Sequence, residues 1–264
     1  MIRVCYADKG ESRCMEEKTE ESERNIMLIP EIIYEDNNLI VCYKQAGVAT
    51  QTKRLGQQDM ESILKNYVAD ELRKQNKNVP PYIGVVHRLD QPVEGVMVYA
   101  KNKRAAAILS KQVQERSIGK NYYALVQLPD GKTFAEATGL PEEGTREDYM
   151  IFDRRNNLSQ IVPKGTKDAK KAFLDYQVIA ETEGRALLDI TLHTGRHHQI
   201  RLQLAGMGTP IVGDRKYGKS EARQLGLCSY RIAFVSPTDG KACEYEITPK
   251  NAEIYALFEK KDKA

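Results

Sequence analysis

The alternation of apolar and polar positions sets in near residue 30. EIIY, opening at Glu31, and LIVCYK are β-branched and aromatic runs, and the Glu35, Asp36, Asn37 and Asn38 side chains between them favour a turn, so the pair predicts a hairpin. Beyond Gly47, Asp59 stands where a helix cap belongs. Met60, Ile63, Leu64, Tyr67, Val68 and Leu72 then recur at the spacing of one buried helical face, which Pro80 and Pro81 are expected to end. Residues 82–86 predict a strand running into HRLD at 87–90, and VMVYA, following Gly95, predicts the next. Asn102 caps a predicted helix, KRAAAILSKQVQER, and a strand over 120–128 follows it. AFLDYQVIA and RALLDITL predict a hairpin about Glu183 and Gly184, and the chain then passes through Gly195 into a helix within HHQIRLQLAG. SYRIAFVSP and CEYEI predict closing strands, and NAEIYALFEK a last helix after Pro249. Residues 139–171 are the least regular stretch, rich in glycine, proline and charge, and a connection of that length is more often functional than idle. With no repeat and no linker after residue 25, the elements imply one α+β domain over 26–264, dominated by strands.

Residues 1–25 show neither period and few large apolar groups, so a loose charged tail is expected there; Met27 offers an alternative start just ahead of the first strand. Apolar residues at 41% and charged residues at 29% are a globular balance that excludes global disorder. No run reaches the roughly 18 apolar residues of a membrane span, and the N-terminus lacks the apolar core of a signal peptide, so a cytoplasmic protein is expected. Cys5, Cys14, Cys42, Cys228 and Cys243 are odd in number and scattered, which suits reduced thiols rather than a metal or redox motif. Of 40 basic and 37 acidic residues, five and seven fall in the first 25, leaving a mildly basic body of 35 against 30 that permits a polyanionic partner.

Three segments concentrate polar chemistry at strand ends. GVVHRLDQPVEG delivers His87, Arg88 and Asp90 within four residues. A carboxylate there beside an arginine can be aimed as a nucleophile, or can simply form a turn and pair with its neighbour. GKNYYALV sets Tyr122 and Tyr123 on opposite faces of one strand, where one ring reaches the core. HTGRHHQIRLQLAG brings together Arg196, His197, His198, Gln199 and Arg201, a set suited to gripping an anion or a planar base. His193, His197 and His198 lack a nearby carboxylate or thiolate to complete a metal set, so no metal is expected.

Taken together these segments resemble the RluA-type RNA pseudouridine synthases. The resemblance rests on HRLDQPVEGVMVYAK, on Lys120, Tyr122, Ala124 and Val126 in a KxYxAxV pattern, and on TGRHHQIRLQLAGMGTPIVGDRKYG from Thr194 to Gly218. YEDNNLIVCYKQAG and LCSYRIAFVSPTDGK are similar to the family's entry hairpin and closing strands, so the likeness spans about residues 31–250 in order. It implies a long, bent, mainly antiparallel mixed sheet flanked by helices with a central cleft, the pseudouridine synthase fold. It also implies an isomerisation without cofactor or metal, in which a uridine's N-glycosidic bond breaks, uracil turns while enclosed, and C5 joins C1′. In that scheme Asp90 is the nucleophile, by a covalent adduct or a glycal route, Arg201 pairs with it and favours its carboxylate form, and Tyr122 stacks on the flipped uracil with a part in proton transfer, while Tyr123 packs in the core. Arg88 would hold the RNA opened by base flipping. His87, Lys120, Arg196, His198, Gln199 and the loop residues Arg154 and Arg155 would meet RNA, the phosphate contacts being salt-sensitive.

Two departures stand out. Val93 and Glu94 replace the Thr-Ser that is common in the family, and Gln45 stands where proline is usual; Glu94 is expected to add negative charge near the active loop and so to alter RNA affinity or substrate choice. The small RNA-binding S4 domain of many relatives would not fit in the first 25 to 30 residues. The implied partner is structured RNA, ribosomal or transfer, and with no heptad pattern a monomer is expected. The alternative from another class is a non-catalytic RNA-binding or ribosome-assembly factor on the same fold, which would be expected to have lost Asp90, Tyr122 or Arg201. A glycoside hydrolase would need a second carboxylate, for which Glu94 is the one obvious candidate near Asp90.

Overall fold

The structure is a computed structural model that describes residues 30–261 apart from 55 and 221; the expected tail over 1–25, Met27, Cys5 and Cys14 lie outside the described residues. The first hairpin joins β1 (Glu31–Glu35) to β2 (Leu39–Lys44), with Asp36 accepting from the backbone N–H groups of Asn38 and Leu39 in the turn. Helix α1 (Met60–Lys74) starts at Asp59, which accepts from the Ser62 N–H in a capping box. It ends well before Pro80 because Asn76 turns left-handed (φ 54°) and the Lys77 N–H returns to the Leu72 carbonyl at 2.9 Å. The expected strand over 82–86 shrinks to β3 (Gly84–Val85), since the proline pair offers no donors and the next donor of the facing strand is taken by a side chain: the Val98 N–H donates to His87 Nε2 at 3.1 Å. That facing strand is β4 (Glu94–Ala100); α2 (Lys103–Glu115), capped by Asn102, and β5 (Gly119–Gln127) follow as the pattern predicts.

A five-residue helix α3 (Phe134–Thr138), capped by Thr133, was not foreseen. The stretch that looked least regular is an edge hairpin, β6 (Glu143–Asp153) and β7 (Leu158–Val162), leading to β8 (Lys170–Thr182). Its sequence hides the strand period because an edge needs little burial: charged residues are scattered through β6, where only Asp148 and Met150 are buried. Then come β9 (Arg185–Leu192), α4 (Gln199–Gly206), β10 (Leu227–Val235), β11 (Ala242–Glu246) and α5 (Ala252–Lys261).

The described strands form one sheet in the order β1-β2-β4-β10-β5-β9-β8-β6-β7, with β3 on β4 and β11 on β10. Every pairing is antiparallel except the short one between β4 and β10, where Glu94 and Gly95 face Cys228 and Ser229. Gly95 is required there: its φ is 141°, and a Cβ would stand 2.3 Å from the Ser229 carbonyl oxygen. Alternation sorts the central strands into two faces. Cys42, Met97, Tyr99, Tyr122, Ala124 and Val126 pack with α1 on one, whereas Val41, Val96 and Val98 pack with α2, and Tyr123 and Leu125 with α5, on the other. Each buried valine, leucine or methionine among them contributes roughly 1.5–3 kcal/mol. No helix of the described residues is long and apolar enough to cross a membrane.

Candidate active site

The loop between β3 and β4 carries Asp90, and its backbone is fixed on both sides. Thr50 Oγ1 donates to the Leu89 carbonyl (2.9 Å) and accepts from the Leu89 N–H (3.2 Å). On the other side the Gln91 carbonyl accepts from the Gly47 N–H (2.8 Å) and from Lys44 Nζ (3.1 Å). Lys44 is fully buried, and its ammonium also donates to the carbonyls of Gln45 and Val48. Burial pushes its pKa down to about 7 against the pull of Asp90 and Glu94. Asp90 itself turns outward, 31% exposed, at the floor of a cleft of about 1480 Å³.

Beside it, α4 delivers Arg201 and the residue before that helix delivers His198. Arg201 was expected to pair with Asp90, but its guanidinium fork is held by Asp214: Nε and Nη2 each donate at 2.7 Å, with both side chains buried. Burial would raise the Asp214 pKa, but the Arg201 fork and the N–H groups of Lys216 and Tyr217 hold it below the ordinary carboxylate range. Anchored in this way, Arg201 presents Nη1 to Asp90 at 3.6 Å. His198 Nε2 lies 3.5 Å from the same carboxylate oxygen. Burial, and then the Arg201 charge, push the His198 pKa down to about 3, so the ring is neutral. Tyr217 Oη accepts from the Ser159 N–H (2.9 Å) and shares a hydrogen bond with His198 Nδ1 (2.9 Å), which leaves the Nε2 edge of the ring turned to Asp90.

Behind Asp90 a smaller recess of about 100 Å³ is lined by Tyr122 together with Val93, Leu192, Ile200 and Leu227. Tyr122 is buried, and desolvation, with a further contribution from Asp90, pushes its phenol pKa up, so the hydroxyl keeps its proton. Tyr123 points to the opposite face and stacks on Tyr230 with centroids 3.8 Å apart, as its place on the strand implied. Lys120 borders the recess without an ion pair among the described residues, and burial lowers its pKa.

The cleft is strongly cationic. Among the described residues lining it, eleven are lysine or arginine and one, Asp90, is acidic. His87, Arg88, Lys120, Arg154, Arg196, His198 and Arg201 of the expected set line it, and Tyr122 and Gln199 line the recess. Three placements differ from a direct RNA contact. His87 Nε2 is occupied by the Val98 N–H, and burial drops its pKa to about 3. Gln199 uses its whole amide internally, accepting from Thr194 Oγ1 and the Arg196 N–H and donating to the Phe173 carbonyl and Gln203. Arg155 sits exposed on the β6–β7 turn, outside the lining residues. Glu94, expected near the active loop, faces away from the cleft: it is 2% exposed and accepts from Tyr43 Oη (2.6 Å) and from the N–H groups of Lys250 and Asn251. The histidines do not converge either, since His193 pairs with Asp175 at 2.7 Å. Sequence reasoning assigned no role to Lys44, Asp214, Phe152, Arg116 or Lys216. The signal for Asp214 lay in the GDRKYG segment, where Gly213 (φ 79°) comes so close to the Gln224 carbonyl that a Cβ would stand 2.0 Å from its oxygen.

Comparison with known proteins gives the chain a family. The family model described as RNA pseudouridylate synthase matches residues 38–206. An uncharacterized RNA pseudouridine synthase of Aquifex aeolicus is 31% identical over 275 residues, covering 92% of this chain and 81% of its own length. Ribosomal large subunit pseudouridine synthase D of Neisseria meningitidis serogroup A is 30% identical over 262 residues, covering 90% of this chain and 64% of the relative. Among solved structures, Human RNA Pseudouridylate Synthase Domain Containing 4 superposes with a TM-score of 0.68 at 20% identity, covering 86% of this chain and 92% of that one, which shows the shared fold. A match over most of the sheet and α4, and a relative aligned along nearly the whole chain, place this protein in the RNA pseudouridine synthase family of RluA type, isomerases that act on uridine in RNA.

Proposed function

We propose that the chain converts particular uridines of structured ribosomal or transfer RNA to pseudouridine, with Asp90 as the nucleophile. The observation that carries this reading is the placing of one outward carboxylate, the sole acid of a cationic cleft among its described lining residues, between Arg201 Nη1 and the recess that Tyr122 lines. RNA would lie along the cleft with its phosphates against the lysines and arginines, and the target base would leave its stack to enter the recess. There the N1–C1′ bond breaks, uracil turns, and C5 bonds to C1′; the proton lost from C5 is matched by the one gained at N1, so no cofactor or energy source is consumed. Arg201, fixed by Asp214, offsets the Asp90 charge as the carboxylate meets C1′. Tyr122 acts as a protonated ring: its raised pKa favours stacking and hydrogen-bond donation over service as a base.

Pseudouridine mapping of total RNA from cells with and without the gene tests the reading. A mark that disappears on deletion and returns with wild type, but not with Asp90→Asn, is the expected result. The purified Asp90→Asn protein should keep its fold and its RNA affinity. Turnover by that variant would remove Asp90 from the nucleophile's role.

A further inference from the structure

Phe152 is a large apolar side chain left 44% exposed, yet it is not on an idle surface: it lines the cationic cleft. Its ring packs against His197 with centroids 4.0 Å apart and planes tilted by 33°, and His197 packs against His198 at 3.7 Å and 31°, so three tilted rings form a continuous pile that ends at the histidine facing Asp90. The pile is held in place from several directions. Ser159, on the strand paired with that of Phe152, donates its hydroxyl to the His197 carbonyl (2.8 Å) and sits 3.0 Å from His197 Nδ1. The Ser159 N–H reaches Tyr217, and Lys216 Nζ ties the hairpin turn through the Asn157 carbonyl at 2.8 Å. Phe152 is therefore set at a fixed height along the cleft relative to Asp90. Burial lowers the His197 pKa, so the middle ring is uncharged near neutrality, and the pile presents an apolar π-surface amid the guanidinium and ammonium groups of Arg154, Arg88 and Lys216.

A flat apolar ring, half covered by another ring and flanked by cations, matches one kind of ligand: a planar heterocycle carried on a phosphate backbone. We infer that Phe152 is a stacking platform for an unpaired nucleobase next to the uridine that enters the recess, so that the substrate is a loop or single-stranded segment with at least one further base splayed out. The inference rests on the RNA reading of the cleft. It adds a second base-binding subsite on the β6–β7 hairpin and narrows the substrate class from structured RNA in general to RNA with consecutive unstacked nucleotides. Arg154, two residues further along the same hairpin, is placed to meet the phosphate beside the stacked base.

The chain contains no tryptophan, so Phe152→Trp introduces a lone indole whose fluorescence reports the platform directly. The probes are a ten-uridine oligoribonucleotide and an abasic ribose-phosphate oligomer of the same length. The expected result is quenching of the Phe152→Trp emission by the oligouridylate and not by the abasic oligomer. In filter binding at low salt, Phe152→Ala should weaken oligouridylate affinity roughly 5- to 100-fold, the worth of one base–aromatic stack, and Phe152→Tyr should restore it. Thermal unfolding of Phe152→Ala, which loses the contact with His197, should remain a single cooperative transition above the assay temperature, so that the loss of affinity is read on folded protein. Retention of oligouridylate without quenching, or equal quenching by the abasic oligomer, would overturn the platform while leaving the RNA reading intact. Failure of the wild-type chain to retain oligouridylate at all would count against both.

Discussion

At the scale of single residues, the groups beside Asp90 are held by buried charges. Asp214 and Arg201 form a buried pair with a two-point grip, and removing one partner of such a pair leaves the other charge desolvated and alone. Asp214→Asn should therefore cost about 3–5 kcal/mol in urea unfolding and should also release Arg201 from the geometry that turns Nη1 to Asp90, so that kcat falls further than the loss of folded protein explains. Lys44 acts under the same loop and gives a pH signature. Its pKa is pushed down to about 7 when folded, whereas an unfolded lysine titrates near 10.4. Between those values the unfolded chain holds a proton that the folded chain has released, so stability rises with pH there; below about 7 both states are protonated and Lys44 adds no slope. Urea melts from pH 7 to 10 should show wild type gaining on Lys44→Met by up to about 1.4 kcal/mol per pH unit. Parallel pH dependence of the two proteins would mean that Lys44 stays an ammonium throughout.

At the scale of elements, Asp59 shows how a cap can shape a binding surface. It caps α1 through Ser62 and, with its second carboxylate oxygen, accepts from the Thr52 N–H at 2.6 Å, tying down the loop whose Lys53 and Arg54 line the cleft. Asp59→Ala should cost roughly 1–2 kcal/mol in chemical denaturation and weaken RNA binding, whereas Asp59→Asn, which keeps an acceptor, should lose less of both. The cap and the buried face of α1 were legible in the sequence because a helix writes its period locally. So was the grouping of Asp90, Tyr122 and Arg201 as candidates, each within a short motif, although one falls in a loop, one within β5 and one in α4. The edge hairpin β6–β7 was not, since a strand with little buried surface is under weak pressure to alternate, and Phe152 went unnoticed with it. The Asp214 grip on Arg201 spans thirteen positions and passes through a left-handed glycine, so neither period nor spacing announces it. The burial of Glu94 was hidden for a related reason: its partners Tyr43, Lys250 and Asn251 are brought to it only by the sheet and the approach to α5.

At the scale of the whole molecule, a formal net charge of +3 understates what a polyanion meets, because the cleft gathers eleven of the 40 cations and one of the 37 acids, so that the rest of the sequence is net acidic. Binding should therefore be governed by counterion release from the segment that lies in the cleft rather than by the overall charge. If about five phosphates are neutralised, the logarithm of the association constant should fall with the logarithm of salt concentration at a slope of about −3.5 for a single-stranded segment. Position then separates residues of the same type. Arg196 lines the cleft, and its charge is strained by burial and by the neighbouring Arg116, an arrangement that an incoming phosphate would relieve; Arg155 lies on the hairpin turn outside the lining. Arg196→Ala should make the slope shallower by about 0.7 and weaken binding across sequences alike, while Arg155→Ala should leave slope and affinity within error of wild type. The measurement is a salt titration of one fluorescent stem-loop RNA by anisotropy. Equal changes in the two variants would show that phosphates are met by the general basic surface, and the cleft would lose its claim to be the RNA path.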